Sequence, residues 1–279
     1  MATPAQQVKP DDSLIDSETA EFLCNGYVIV KDVLSSDQIE LIRRALHPYL
    51  QGEHFGRNDF EGFATERVYA LLAKSVEFSL IIDHPRISPI IDRLVNPSYL
   101  LWAALAINLH PGETMQNLHR DNIGQRPPGE GLINGVSTMW AIDDFTSANG
   151  ATRLLPRSQT WEQGRMASER DRADLIAAQM PAGSVLIWSS EILHAGGANT
   201  SDRSRLGITV QYCQPWLRQL ESFLLVLPPE IARTLPERVQ ELVGYSIFEP
   251  GIMGYADGMH PKRFLRDDYQ GRKAQGKPS

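Results

Sequence analysis

The sequence predicts an α+β fold, mainly β, with an antiparallel sandwich or barrel core wrapped by helices from both ends of the chain. Two observations predict it. From residue 99 onward short β-type runs follow one another at 100–109, 137–142, 153–156, 184–189 and 206–214, punctuated by Gly, Pro, Asn and Asp. No long helical pattern alternates with them, which argues against a parallel α/β sheet. A chain of 279 residues with 42% hydrophobic and 22% charged residues is long and apolar enough to bury a core without disulfides.

The elements follow in chain order. Residues 1–12 are polar with two prolines and read as a loose arm. Asp16, Ser17, Glu18 and Thr19 open a helix carrying Ala20, Phe22 and Leu23. Gly26 and the β-branched and aromatic run to Val30 form a short strand. Ser35, Ser36 and Asp37 then open a second helix whose Ile39, Leu41, Ile42, Ala45 and Leu46 recur at spacings of three and four. A third helical pattern covers 85–95. After the first β runs, residues 161–180 read as a helical insertion and 228–244 as one helix with Gly244 near its end. Residues 267–279 fray. A single domain over residues 13–265 is the expectation.

Composition narrows the function. The net charge is −7 and the pI near 5.5, so there is no basic surplus to neutralise a phosphate backbone and no nucleic-acid partner is expected. Cys24 and Cys213 are the only cysteines, too few for a disulfide framework or a four-thiolate zinc site. The N-terminus lacks the apolar stretch of a signal peptide, and no apolar run is long enough to span a bilayer. A soluble, cytoplasmic protein without a membrane partner is expected, as monomer or homodimer.

Seven histidines occur, and one sits in chemistry-bearing company: His119-Arg120-Asp121, just after a strand-like run and a Pro-Gly-Glu turn. Side chains two apart on an extended segment share a face, so His119 and Asp121 can grip one cation. Alone, His-x-Asp is a weak signal. His194 follows the buried-looking strand 184–189 and can neighbour the first pair at a barrel's strand ends. Two imidazoles and a carboxylate leave open positions on an octahedral iron. Arg205 lies eleven residues beyond His194, after an Asn-Thr-Ser-Asp turn. A hairpin there brings its planar guanidinium back beside the metal, as a clamp for a carboxylate. Arg203 is its rival, since strand alternation cannot separate two odd-numbered residues.

With the stretch from His194 to Tyr212, the Asn149–Ser158 run, Gly26-Tyr-Val-Ile-Val30 and the segment 254–261, this pattern resembles the phytanoyl-CoA dioxygenase family over about residues 16–261. The resemblance implies a double-stranded β-helix (jelly-roll) core and an Fe(II)- and 2-oxoglutarate-dependent dioxygenase. O2 and 2-oxoglutarate are then the co-substrates, and succinate and CO2 are released as an unactivated C–H bond of a small metabolite or natural product is hydroxylated or otherwise oxidised. His119, Asp121 and His194 are the implied metal ligands, and Arg205 the implied 2-oxoglutarate clamp. The carboxylate at Asp121 argues against a halogenase.

More loosely, the resemblance assigns Thr152, Gln116, Asn117 and Trp140 to the co-substrate. Gln116 and Asn117 are equally well a turn pair, and Trp140 an ordinary core aromatic. Arg67 and Lys74 are basic ends that could reach an anion, and His260 could approach from the C-terminal segment, although a tight turn explains it better. Glu113 and Glu191 are the fallback carboxylates should Asp121 not be the ligand. Substrate lining is expected from 51–65, 122–134, 161–180 and 245–260. Two other readings stay open: a catalytically silent jelly-roll that binds a metal or small molecule, and a metal-dependent hydrolase using a zinc-bound water, which would leave Arg205 idle.

Overall fold

A computed structural model describes residues 11–121, 133–162, 164–248, 253–269 and 271. The order of elements is α1 (Asp12–Asn25), β1 (Tyr27–Val30), α2 (Ser36–Leu46), β2 (Thr65–Val68), then the short helices α3 (Leu71–Lys74) and α4 (Ser79–Ile82), and α5 (Ser88–Leu94). There follow β3 (Leu100–Leu109), β4 (Gly135–Ala141), β5 (Arg153–Leu154), α6 (Glu169–Arg172), β6 (Ile176–Ala177), β7 (Val185–Ser189), β8 (His194–Ala195) and β9 (Arg205–Cys213). Three more helices close the chain: α7 (Phe223–Val226), α8 (Pro229–Ala232) and α9 (Glu237–Leu242).

Six strands form one antiparallel sheet in the order β1-β7-β4-β9-β3-β2, and β6-β5-β8 form a small second sheet. Alternation along the strands sorts the large sheet into two faces. On β9, Leu206, Ile208, Val210 and Tyr212 face the helices, joined there by Val136 and Trp140 of β4 and by Val185 and Ile187 of β7. Phe22, Ile42, Leu46, Ile90, Ile91 and Phe223 cover them from the helical side. Each such side chain, fully buried, contributes roughly 1.5–3 kcal/mol. The other face, with Met139, Leu186 and Trp188, packs with Leu154, Phe145 and Met180 beside the small sheet. The site lies between the sheets.

Local chemistry sets the helix ends. Ser35 and Gln38 form a reciprocal capping box on α2. Gly26 closes α1 at φ 84°, its N–H donating to the Phe22 carbonyl, and a Cβ there would collide with the Gln159 side chain.

Several expectations need correction. α1 starts at Asp12, capped by Asp11, rather than near Asp16, so the end of the expected arm is helical; residues 1–10 lie outside the described ones. The segment 161–180 is not a helix: Gly164 breaks it at φ 79°, only Glu169–Arg172 is helical, and Ile176–Ala177 pair with β5. Non-local pairing has overridden local propensity. The 228–244 helix is divided by Pro236, which caps α9 and cannot continue α8. The start of the expected fraying tail packs, with an Arg233–Asp267 ion pair and a 3.0 Å bond from the Tyr269 hydroxyl to Asp257. Among the described residues no helix is long and apolar enough to cross a membrane.

Candidate active site

His119, Asp121 and His194 come together in the lining of one cavity, with one potential ligand atom from each lying within 4.8 Å of the others. Backbone pairing places them. His119 and His194 exchange two N–H···O=C bonds of 2.9 Å, and the Asp121 N–H donates to the Ser190 carbonyl at 3.1 Å. The segment carrying His119 and Asp121 is thus pinned to the start of β8 and to the turn after β7, which closes the gap in sequence.

Each imidazole has its Nδ1 engaged by a backbone carbonyl, of Asn117 for His119 (2.9 Å) and of Ile192 for His194 (3.1 Å). Those bonds need a proton on Nδ1, which turns Nε2 of a neutral ring into the lone-pair donor. Asp121 Oδ1 lies 3.4 Å from His194 Nε2, and Oδ2 accepts a 2.7 Å bond from the Ser137 hydroxyl. The electrostatics keep Asp121 ionised and His119 neutral. Burial would raise the Asp121 carboxyl, but the His194 charge and the bonds from His194 and Ser137 reverse that and hold it at about 2. Burial and the neighbouring His194 push His119 down to about 4. Burial alone would lower His194 too, but the Asp121 carboxylate carries it above its ordinary value.

These three residues line a cavity of about 330 Å³ whose floor is the inner face of the large sheet. Arg205, Gly207, Thr209 and Gln211 alternate along β9, and Ser137 and Met139 stand beside them on β4. Arg205 is 3% exposed. Its Nη2 donates to the Gly150 carbonyl at 2.8 Å, and its guanidinium lies 4.2 Å from the Phe145 ring centre. Burial lowers its pKa to about 10, so it stays charged at neutral pH. Three buried polar atoms of the lining have no hydrogen-bond partner among the described residues: Arg205 Nη1, Thr209 Oγ1 and Trp188 Nε1. Leaving such atoms unmatched costs roughly 1–3 kcal/mol each, which marks a place built for a polar guest.

The remaining expected residues divide. Thr152 lines the cavity, as does Gln116, whose amide bridges the Phe60 carbonyl (2.5 Å) and the Gly196 N–H (2.7 Å). Asn117 is exposed and outside the lining; its contribution is the carbonyl that orients His119. Trp140 is a correction: it lies three positions from the cavity-facing Ser137, hence on the opposite face, packed on His84 and bonded to Thr138 Oγ1. Arg203 is exposed in the turn. Arg67 lines the cavity from β2, tied to the Glu61 carbonyl at 2.7 Å, whereas Lys74 lies over the Tyr49 ring outside it.

His260 caps the short helix Pro261–Leu265. Glu113 binds the N–H of Ala64 and the Thr65 hydroxyl, and Glu191 pairs with Asn134, so neither joins the histidines. Of the expected lining segments, 51–65 supplies Asp59, Phe60, Glu61, Gly62 and Thr65. The described parts of 161–180 and 245–260 supply none, and residues 122–132 lie outside the described ones. Tyr69, Trp102, Leu105 and Leu220 take their place. Thr209, Gln211 and Ser137 escaped the sequence reading, although alternation from Arg205 reaches the first two.

Known proteins agree with this architecture. Residues 22–207 match the family model described as phytanoyl-CoA dioxygenase. Dioxygenase FUM3 of Gibberella moniliformis is 30% identical over 79% of this chain and 79% of its own, and dioxygenase ALT11 of Alternaria alternata 29% identical over 87% and 85%. Among solved structures, the epimerase SnoN in complex with Fe3+, alpha ketoglutarate and nogalamycin RO shares the fold, with a TM-score of 0.61 at 17% identity over 73% of this chain and 85% of that one. The chain belongs to the phytanoyl-CoA dioxygenase family and is an Fe(II)- and 2-oxoglutarate-dependent dioxygenase.

Proposed function

We propose that this protein oxidises an unactivated C–H bond of a small metabolite or natural product, with hydroxylation as the default outcome. In this reading His119, Asp121 and His194 hold Fe(II), and Arg205 holds the far carboxylate of 2-oxoglutarate. The observation that carries it is the pairing, in one cavity, of a His-Asp-His set with a buried guanidinium that has an unused N–H.

The donor set fits the group. The Nε2 atoms of His119 and His194 and one Asp121 carboxylate oxygen would supply the three protein ligands that such an iron takes. Arg205 Nη1 and Thr209 Oγ1 are unmatched donors suited to a carboxylate in a dry pocket. Bound there, iron with 2-oxoglutarate and O2 supplies the oxidising power, and succinate and CO2 are the co-products. The chain's own work is binding, orientation and exclusion of water. Asn117 and Ile192 carbonyls fix the imidazole tautomers. Arg67 adds a second cation facing the cavity. Leu105, Ile107, Trp102 and Leu220 give an apolar wall, and about 330 Å³ suits a small molecule.

The test is succinate formation from 2-oxoglutarate with Fe(II) and ascorbate, against the same assay with Zn(II) and with His194→Ala. Turnover only with Fe(II) and the parent protein is expected, stimulated by those members of a natural-product panel that are substrates. Equal turnover in His194→Ala would sink the assignment, and Zn(II)-supported hydrolysis would install the hydrolase in its place.

A further inference from the structure

We propose that Ser137 and Gln211 are positioning residues that dedicate one oxygen of Asp121 to the metal. The inference rests on the reading of His119, Asp121 and His194 as metal ligands. Its basis is a row of side chains set across three strands: Trp188 on β7, Ser137 on β4 and Gln211 on β9 are direct cross-strand partners on the cavity face. Within this row Ser137 lies against Asp121, and the hydrogen bonding from Gln211 through Ser137 to Asp121 is directional.

Ser137 has one hydroxyl proton and Asp121 is an acceptor only, so the 2.7 Å contact between Ser137 Oγ and Asp121 Oδ2 requires that proton to point at the carboxylate. The Ser137 oxygen must then accept from elsewhere, and the Gln211 side-chain amide donates to it at 3.2 Å. Turning the Gln211 amide around would offer Ser137 a second acceptor and withdraw the proton from Asp121, leaving two oxygens at 2.7 Å without a hydrogen between them. The network therefore has one self-consistent orientation, Gln211 to Ser137 to Asp121. It is also well protected, Ser137 being 1% and Gln211 8% exposed.

The consequence falls on Asp121. Oδ2 is committed to the serine, while Oδ1 is the oxygen beside His194 Nε2. The bond would favour the carboxylate serving the metal through Oδ1 alone. The hydroxyl also withdraws charge from the carboxylate and fixes its rotation, which orienting partners of metal ligands do generally, at a typical 10–100-fold in affinity or activity when lost.

The experiment titrates Co(II) into the full-length protein and follows the visible absorption of the bound ion, with the parent, Ser137→Ala, Gln211→Leu and His194→Ala side by side and thermal melting as the check on folding. Ser137→Ala is expected to weaken Co(II) about 10-fold or more and to change the band shape, reporting altered coordination. Gln211→Leu, which leaves the serine in place but frees its hydroxyl to rotate, should reproduce part of that change. Ser137→Thr, which keeps the hydroxyl, should restore it. Parent-like affinity and spectrum in both Ser137→Ala and Gln211→Leu would overturn the proposal while leaving the ligand assignment intact. Failure of His194→Ala to lose Co(II) would instead overturn the ligand assignment and this proposal with it.

Discussion

At the scale of residues, the juxtaposition of His119 and Asp121 was legible because it depends on spacing along a short extended segment, whereas His194 joins them through a cross-strand bridge. His119 and Asp121 share a face by period-2 geometry, and the turn before Arg205 fixes where β9 begins. What was not legible is everything set by register between strands. Ser137 and Gln211 meet only because β4 and β9 pair at that offset, and Trp140 lies on the wrong face by parity. Arg205 carries the sharpest prediction at this scale. Removing one partner of a buried charge pair costs about 3–5 kcal/mol, or a factor of roughly 10² to 10³ or more. Arg205→Ala should raise the KM for 2-oxoglutarate by that factor with Co(II) binding retained. Lysine should rescue only partly, lacking the two parallel donors. Gly207→Ala should act in the same direction, since its Cβ would stand 2.7 Å from Phe145 Cζ and 3.3 Å from Arg205 Nη1. Arg203→Ala, in the exposed turn, should match the parent; a larger loss there than at Arg205 would reassign the clamp.

At the scale of elements, the strands with β-branched runs and the capped N-terminal helices could be read directly. The misreadings came where long-range pairing or a single breaker decided. β2, which no sequence pattern marked, contains Glu66 and Arg67 without apolar alternation and is a strand by its pairing with β3 and its bridge to Phe55. Pro236 divided a helix whose composition otherwise favoured continuity. The segment between α4 and α5 offers a pH test. His84 is 7% exposed, stacks edge-on against Trp140, and its Nδ1 accepts the Arg86 N–H at 3.2 Å. Burial first, then the Arg86 charge, pushes it from 6.5 down to about 4. The unfolded chain therefore binds a proton at higher pH than the folded one, so this contribution is complete above pH 6.5 and lost as pH falls toward 4. The linked free energy is about 3 kcal/mol, or about 5 °C in Tm for a domain of this size. His84→Gln removes it. Between pH 7 and 4.5, which covers most but not all of the titration, the parent should lose about 4 °C more than the variant, with other titrating groups cancelling in the comparison. Parallel Tm curves would show that His84 titrates normally.

At the scale of the whole molecule, the core and the candidate metal centre are separable. The helix-facing side of the large sheet is filled by its own apolar cluster, and none of His119, Asp121 and His194 belongs to it. The fold should therefore survive loss of any one ligand, and His119→Ala and His194→Ala should melt cooperatively near the parent. Metal then acts on stability by mass action alone. A cation that binds the folded chain and not the unfolded one adds about 2.7 kcal/mol at a hundred times its Kd, an increase of about 5 °C in Tm. Co(II) should raise the parent's Tm by that amount and leave His194→Ala unmoved. The increment should also shrink on acidification. The raised His194 pKa means that a proton shared with Asp121 competes for the same lone pairs, whereas His119, held down to about 4, stays available over the same range. Melting curves with and without Co(II) from pH 8 to pH 5 read this directly. An increment that holds constant with pH, or that persists in His194→Ala, would place the cation somewhere other than between these three side chains.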